Sequence, residues 1–269
     1  MTADPASTTT ACYRHPDRPA ALGCSRCERP ICLQDAVDAP VGYLCPECAK
    51  VPRSQVRAAR SNAVPLTKLL VGVNVVLFLL QQVPDLGVTT AGVLFGPAVA
   101  VGEWWRVVTG GFLHGGIVHI GFNGYLLWML GQMLEPETGS ARFGALYAAG
   151  LFGGSAGALL LSWDAPTLGA SGAVFGLMGA AMVGMRRRGV NPWRSSIGTL
   201  VLLNLVFTFA VPGVSIGGHV GGLLGGAVAA LPVFQATLPT RQSRLVVPWA
   251  IALAIGALAI WLGASGPFL

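Results

Sequence analysis

From Pro65 onward the chain is a succession of apolar stretches, each long enough to cross a lipid bilayer, and nothing else in it constrains the fold as strongly. Lipid offers no partner to backbone N–H and C=O groups, so a spanning segment must be a helix of about 20 mostly apolar residues, or a strand in a closed barrel. Seven stretches qualify as helices: about 66–82, 115–134, 142–161, 170–186, 195–211, 217–235 and 246–264. Composition agrees. Charged residues make up 10% of the 269 positions, against about 25% in an ordinary soluble domain. Glycine is abundant, at 37 residues, as it is in membrane helices. The expectation is an all-α membrane protein.

Charge placement orients it. Arg53, Arg57, Arg60 and Lys68 flank the first span, Arg142 follows the second, Arg186, Arg187, Arg188 and Arg194 follow the fourth, and Arg241 and Arg244 follow the sixth. On the alternate side only Arg106 appears. Basic residues favour the cytoplasmic side, which predicts a multi-pass cell-membrane protein with its N-terminus inside and its C-terminus outside. MTADPASTTT has no basic segment leading into an apolar run, so residue 1 is expected to stay in the cytoplasm. The connection from Val83 to about Leu113 carries Trp104-Trp105-Arg106 and is expected at the membrane interface. Net charge is +6, but no basic run is interleaved with aromatics, so no nucleic-acid partner is expected.

Spans two, four and six all run inward from the outer face, and each carries polar residues near its start. These are His119 and Asn123 on the second, Ser171 within Gly169-Ala170-Ser171-Gly172 on the fourth, and His219 within Gly217-Gly218-His219 on the sixth. Polar groups at membrane depth are costly and imply function or a fixed partner. A serine hydroxyl is a weak nucleophile until a base takes its proton, and histidine is the usual base. The tetrahedral intermediate then needs preorganised donors: the Ser171 N–H at a helix start, the Asn123 amide and the His119 ring suit that task. Spans four to six contain no Asp or Glu, so a Ser–His dyad is expected rather than a triad. Each residue alone has a plainer reading: Gly-x-Ser-Gly as packing, a histidine as a bridge between helices, Asn123 as a packing hydrogen bond. His114 reads equally as an interfacial residue or a catalytic support. Gly172, Gly176 and Gly179 could face Gly218, Gly222, Gly225 and Gly226, because small residues let membrane helices approach closely.

The segment from Pro65 to about Phe234 resembles the rhomboid intramembrane serine proteases. The resemblance rests on Trp105-Arg106, His114-x4-His119-x3-Asn123, Glu135-x3-Gly139, Gly169-Ala170-Ser171-Gly172, and His219 with Gly222 and Gly226. It implies a six-helix core with one extra C-terminal helix and cleavage of transmembrane protein substrates near the outer face. Ser171 would be the nucleophile and His219 the base. His119, Asn123 and the Ser171 amide would form the oxyanion hole, with no cofactor for catalysis. Phe175 matches a position where the family usually packs an aromatic on the catalytic histidine. The fifth span and the loop Val211 to Gly218 would gate substrate entry. An alternative is a catalytically inactive rhomboid-like protein that binds membrane clients; such proteins typically lack the serine or the histidine, and this chain keeps both. A transporter would need ionisable groups along a path through the bilayer, and these spans lack one.

Residues 1–50 are different in kind, polar and holding all six cysteines, and a basic linker, 51–64, separates them from the core at 65–235 and the loop and seventh span at 236–269. Cytoplasmic thiols stay reduced, so the spacing reads as metal ligation. The candidates are Cys12, His15, Cys24, Cys27, Cys32, Asp35, Cys45 and Cys48, enough for two tetrahedral zinc ions. About fifty residues build little core, so metal would hold the fold. The segment resembles a B-box or related cross-brace zinc finger. That likeness pairs Cys12, His15, Cys32 and Asp35 on one ion and Cys24, Cys27, Cys45 and Cys48 on the other, in a closed structural domain for a protein partner.

Overall fold

The computed structural model describes residues 10–25, 27–38, 43–50, 64–234 and 242–267. The chain divides into two compact units, Met1–Asn62 and Ala63–Leu269. The expected linker, with Arg53, Arg57 and Arg60, lies outside the described residues but for Val64, as does Arg241.

The first unit is two small hairpins. Strand β1 (Leu22–Gly23) pairs antiparallel with β2 (Pro30–Ile31), and β3 (Val37–Asp38) with β4 (Tyr43–Leu44), which leads into helix α1 (Pro46–Lys50). Among the described residues its buried apolar cluster is Cys24, Ile31 and Cys45, with Tyr13, Leu22 and Leu44 around them. Strands of two residues cannot hold themselves, so this unit needs a staple.

Among the described residues the second unit has seven long helices: α2 (Pro65–Gln81), α6 (Ile117–Thr138), α7 (Ser140–Leu161), α8 (Ser171–Arg187), α9 (Ser196–Ala210), α10 (Ile216–Val233) and α11 (Ser243–Ser265). Between α2 and α6 the chain forms short helices α3 (Val88–Gly92), α4 (Gly96–Ala100) and α5 (Arg106–Thr109). Each of the seven expected spans is therefore a helix. By length and apolarity alone, three of them suffice to cross a membrane: α7, α10 and the Leu245–Ser265 part of α11. A fourth is α2 with the segment after it, bent by 106°. The remainder are short or polar. Helix α8 has 17 residues, two of them terminal arginines, which at 1.5 Å per residue is about 25 Å, less than the ~30 Å hydrocarbon layer.

Helix α7 is the central post. Its glycines meet both neighbours: a Cβ added at Gly150 would lie 2.8 Å from the Gly176 Cα on α8, and one at Gly157 would lie 2.1 Å from the Gly217 carbonyl oxygen on α10. Helices α8 and α10 also touch directly, Gly222 against Gly172 and Gly226 against Gly176. The expected set needs correction at two places. Gly225 packs against Ala149 and Gly153 of α7, and Gly179 meets Leu223 and Ala227 rather than a glycine. Residues three apart on a helix differ by about 60° in direction, so one stripe serves two neighbours.

The 83–113 connection is folded rather than loose. The Arg106 guanidinium donates to the Thr90 and Val93 carbonyls, 2.8 Å each, and pairs with Glu103. This gathers the carbonyl ends of α3 around one buried cation. The connection then bonds to the segment before α8: Leu94 and Thr167 exchange both backbone hydrogen bonds, and the Gly169 N–H donates to the Gly110 carbonyl at 2.9 Å. At the opposite end, Arg188 after α8 pairs with Glu137 of α6 and lies 5.8 Å over the Phe234 ring after α10.

Candidate active site and metal clusters

The starts of α6, α8 and α10 meet at one cavity of about 930 Å³, lined among others by His119, Asn123, Ser171, Phe175 and His219. Ser171 is the first residue of α8, where N–H groups have no partner within the helix. His219 lies in the first turn of α10, whose N-terminal cap is the Ser215 hydroxyl accepting from the Gly218 N–H at 3.0 Å. The His219 ring is buried and stacks on Phe175, one turn along α8 from Ser171, with centroids 4.3 Å apart and planes 20° from parallel. This stacking and the Gly172–Gly222 contact bring the two helix starts together.

His119 approaches from α6. Its Nδ1 accepts from the Gly115 N–H at 3.3 Å. A neutral imidazole carries one proton, so Nε2 holds it and is the donor. That Nε2 lies 2.9 Å from where a Cβ on Gly169 would stand, and the Ser171 Oγ lies 3.6 Å from the same point. Gly169 has φ +131°, which side chains rarely adopt, so a glycine is required on both counts. The Asn123 amide donates to the His119 carbonyl at 3.0 Å and is buried beside it.

Several participants escaped sequence reading. Gln81 of α2 clamps the His114 backbone, accepting from its N–H at 2.9 Å and donating to its carbonyl at 3.2 Å. His114 is only 3% exposed, and its ring meets the His119 ring edge-on at 5.1 Å. On α9, the Thr208 hydroxyl lies 2.6 Å from His219 Nδ1. The available signal was Asn204 and Thr208, polar and one turn apart in the otherwise apolar run that follows Thr199. Helix α9 exposes Leu202, Leu203, Val206, Phe207 and Phe209, and the turn after it, with Pro212 and Gly213, edges the cavity.

In the first unit, ligand atoms converge in two groups, each within 4.8 Å: Cys12, His15, Cys32 and Asp35, and Cys24, Cys27, Cys45 and Cys48. Tetrahedral zinc with Zn–S of 2.3 Å and Zn–N near 2.0 Å places sulfur atoms about 3.8 Å apart, and sulfur and nitrogen about 3.6 Å apart. Cys27 and Cys45 sulfurs are 3.7 Å apart, and the Cys32 sulfur is 3.6 Å from His15 Nδ1. The His15–Asp35 approach, 2.9 Å, is closer than shared ligation gives and has the length of a hydrogen bond. Backbone N–H groups of Cys45 and Cys48 point at the sulfurs of Cys24 and Cys45, at 3.3 and 3.4 Å. Such donors support thiolate. Without an ion, burial and the neighbouring sulfurs of Cys45, Cys27 and Cys24 push the Cys48 thiol up to about 12. The donors therefore fit zinc. Asp35 also holds Arg14, 3.3 Å from its second oxygen.

Comparison with known proteins matches residues 101–236 to the Rhomboid domain. The chain is 34% identical over 216 residues to "Rhomboid protease GluP" of Bacillus subtilis, covering 77% of this chain and 42% of that protein. It is 33% identical over 171 residues to "Putative rhomboid protease YdcA" of the same bacterium, 60% of this chain and 85% of the relative. It is 31% identical over 186 residues to "Rhomboid-like protease 1" of Toxoplasma gondii, covering 66% of this chain and 62% of that one. The chain thus spans less than half of the first relative's length and most of the second's.

Proposed function

Because the chain belongs to the rhomboid family of membrane proteases, we propose that it is a serine endopeptidase that cuts transmembrane segments of other proteins near the outer membrane face. Ser171 attacks the scissile carbonyl carbon while His219 Nε2 takes its proton. The oxyanion that forms is met by the Ser171 N–H, the His119 Nε2–H and, after a rotation of its side chain, the Asn123 amide. His219 then gives its proton to the leaving amine, and water hydrolyses the acyl-enzyme by the reverse sequence. The fifth and exposed helix, α9, with its following turn is the substrate entrance.

The observation that carries this reading is the stacking of His219 on Phe175, one turn from Ser171, at the cavity shared with His119. A client-binding protein without activity would have no use for both Ser171 and His219. The test uses purified full-length chain in detergent with a single-pass transmembrane substrate, beside Ser171→Ala and His219→Ala. The parent cleaves and each variant is slower by at least ~10³-fold. Cleavage by Ser171→Ala at the parental rate would end the proposal.

The first unit is proposed as a structural zinc domain on the cytoplasmic side, holding two ions on the two four-residue groups and serving a protein partner. Zinc with four protein ligands supplies rigidity and leaves no position for chemistry.

A further inference from the structure

We propose that Thr208 is the orienting partner of His219, fixing the proton on Nδ1 so that Nε2 is free to act as base; this rests on the reading of Ser171 and His219 as nucleophile and base. The argument is a count of protons. The Thr208 Oγ1 lies 2.6 Å from the Asn204 carbonyl oxygen and 2.6 Å from His219 Nδ1. A hydroxyl has one proton. The carbonyl only accepts, and two oxygens at 2.6 Å without a proton between them repel, so the hydroxyl proton goes to Asn204. The remaining Thr208–His219 contact then requires a proton from the ring. Nδ1 carries it, and Nε2 bears the lone pair.

The arrangement is held from both sides. Thr208 is 1% exposed and does not line the cavity, so water has little access to its hydroxyl. The Asn204 side chain is itself tied to the Leu200 carbonyl at 2.9 Å. One face of the His219 ring is covered by Phe175. The tautomer is the reverse of that on His119, whose Nδ1 accepts and whose Nε2 donates. One imidazole is thereby set as acceptor toward the cavity and the other as donor, the two roles acyl transfer needs. In a triad a carboxylate holds the base's far nitrogen; here a threonine hydroxyl braced by a backbone carbonyl takes that place, without a buried charge. During attack the Ser171 proton passes to Nε2. The Nδ1 proton stays in place, its bond to Thr208 now coming from an imidazolium. Thr208 is a positioning residue, since it acts through His219.

Two measurements test this on the full-length protein. In 15N-histidine-labelled wild type, with the His219 signal assigned by its loss in His219→Ala, the neutral ring carries its proton on Nδ1. A proton on Nε2 overturns the proposal whatever the variants do. In turnover, Thr208→Val lowers kcat by about tenfold while KM stays within about twofold, and Thr208→Ser, which keeps the hydroxyl, restores kcat to within about threefold. Unchanged kcat in Thr208→Val overturns it, as does equal loss in the valine and serine variants. Should Thr208→Val fail to fold, the nitrogen spectrum of the wild type decides. Parental cleavage by Ser171→Ala would sink the protease reading but leave the proton assignment standing, so the two failures are distinguishable.

Discussion

At the scale of single residues, the site depends on positions that allow one side chain only. Gly169 combines φ +131° with a His119 ring 2.9 Å from its missing Cβ. Gly169→Ala is expected to turn the His119 ring, because a side chain at that φ costs about 1–2 kcal/mol and the ring is the softer neighbour. Cleavage should fall between about 10-fold and 100-fold, with the substrate KM little changed, since a small misplacement of an oxyanion donor is expensive. Kinetics of the folded variant check this; parental kcat would show that His119 is not a donor. Phe175 offers a contrast: it has no polar atom, so its contribution is the ring face it gives His219.

At the scale of elements, Glu135 shows why α6 runs past the expected apolar span. Its carboxylate is 1% exposed and accepts from the Leu66 and Thr67 N–H groups at 3.0 and 2.9 Å, and from the Thr67 and Ser140 hydroxyls at 2.6 Å each. A carboxylate at the start of α2 meets the unpaired N–H groups and the positive end of that helix. Glu135→Ala strands these donors and is expected to lower stability by about 3 kcal/mol, whereas Glu135→Gln, which keeps an acceptor, loses less. Thermal unfolding in one detergent measures both. An alanine variant as stable as the parent would show that packing against the core, and not these hydrogen bonds, holds α2. The glycine contacts of α7, α8 and α10 act at this scale too, since backbone-to-backbone approach is what lets helices from different spans share a cavity.

At the scale of the whole molecule, every named residue of the proposed site lies between Gln81 and His219, inside the unit that begins at Ala63. A chain starting at Ala63 is therefore expected to keep basal cleavage, and complete loss in a folded truncation would contradict this. The first unit should contain about two zinc ions per chain by elemental analysis of reduced protein. Ligation requires thiolate, and the metal-free Cys48 thiol stands at about 12, so binding releases protons and affinity falls as pH is lowered. A chelator is expected to unfold residues 10–50 while leaving cleavage intact. Zinc content near zero in fresh protein would remove the metal proposal.

Seven helices, the polar residues at the starts of the second, fourth and sixth, and the eight candidate ligands could all be read from the chain. Apolar length and local spacing are properties of neighbouring residues, and they carry over into helices and knuckles without knowledge of what packs where. Tertiary structure decided the rest. Which glycine meets which, that α7 is the post between α8 and α10, and that Glu135 caps a helix 69 residues away depend on which faces meet. The protonated nitrogens of His119 and His219 are of the same kind. A ring's tautomer follows from its partner's proton count, and those partners, the Gly115 N–H and the Thr208 hydroxyl, become partners only once the chain has folded.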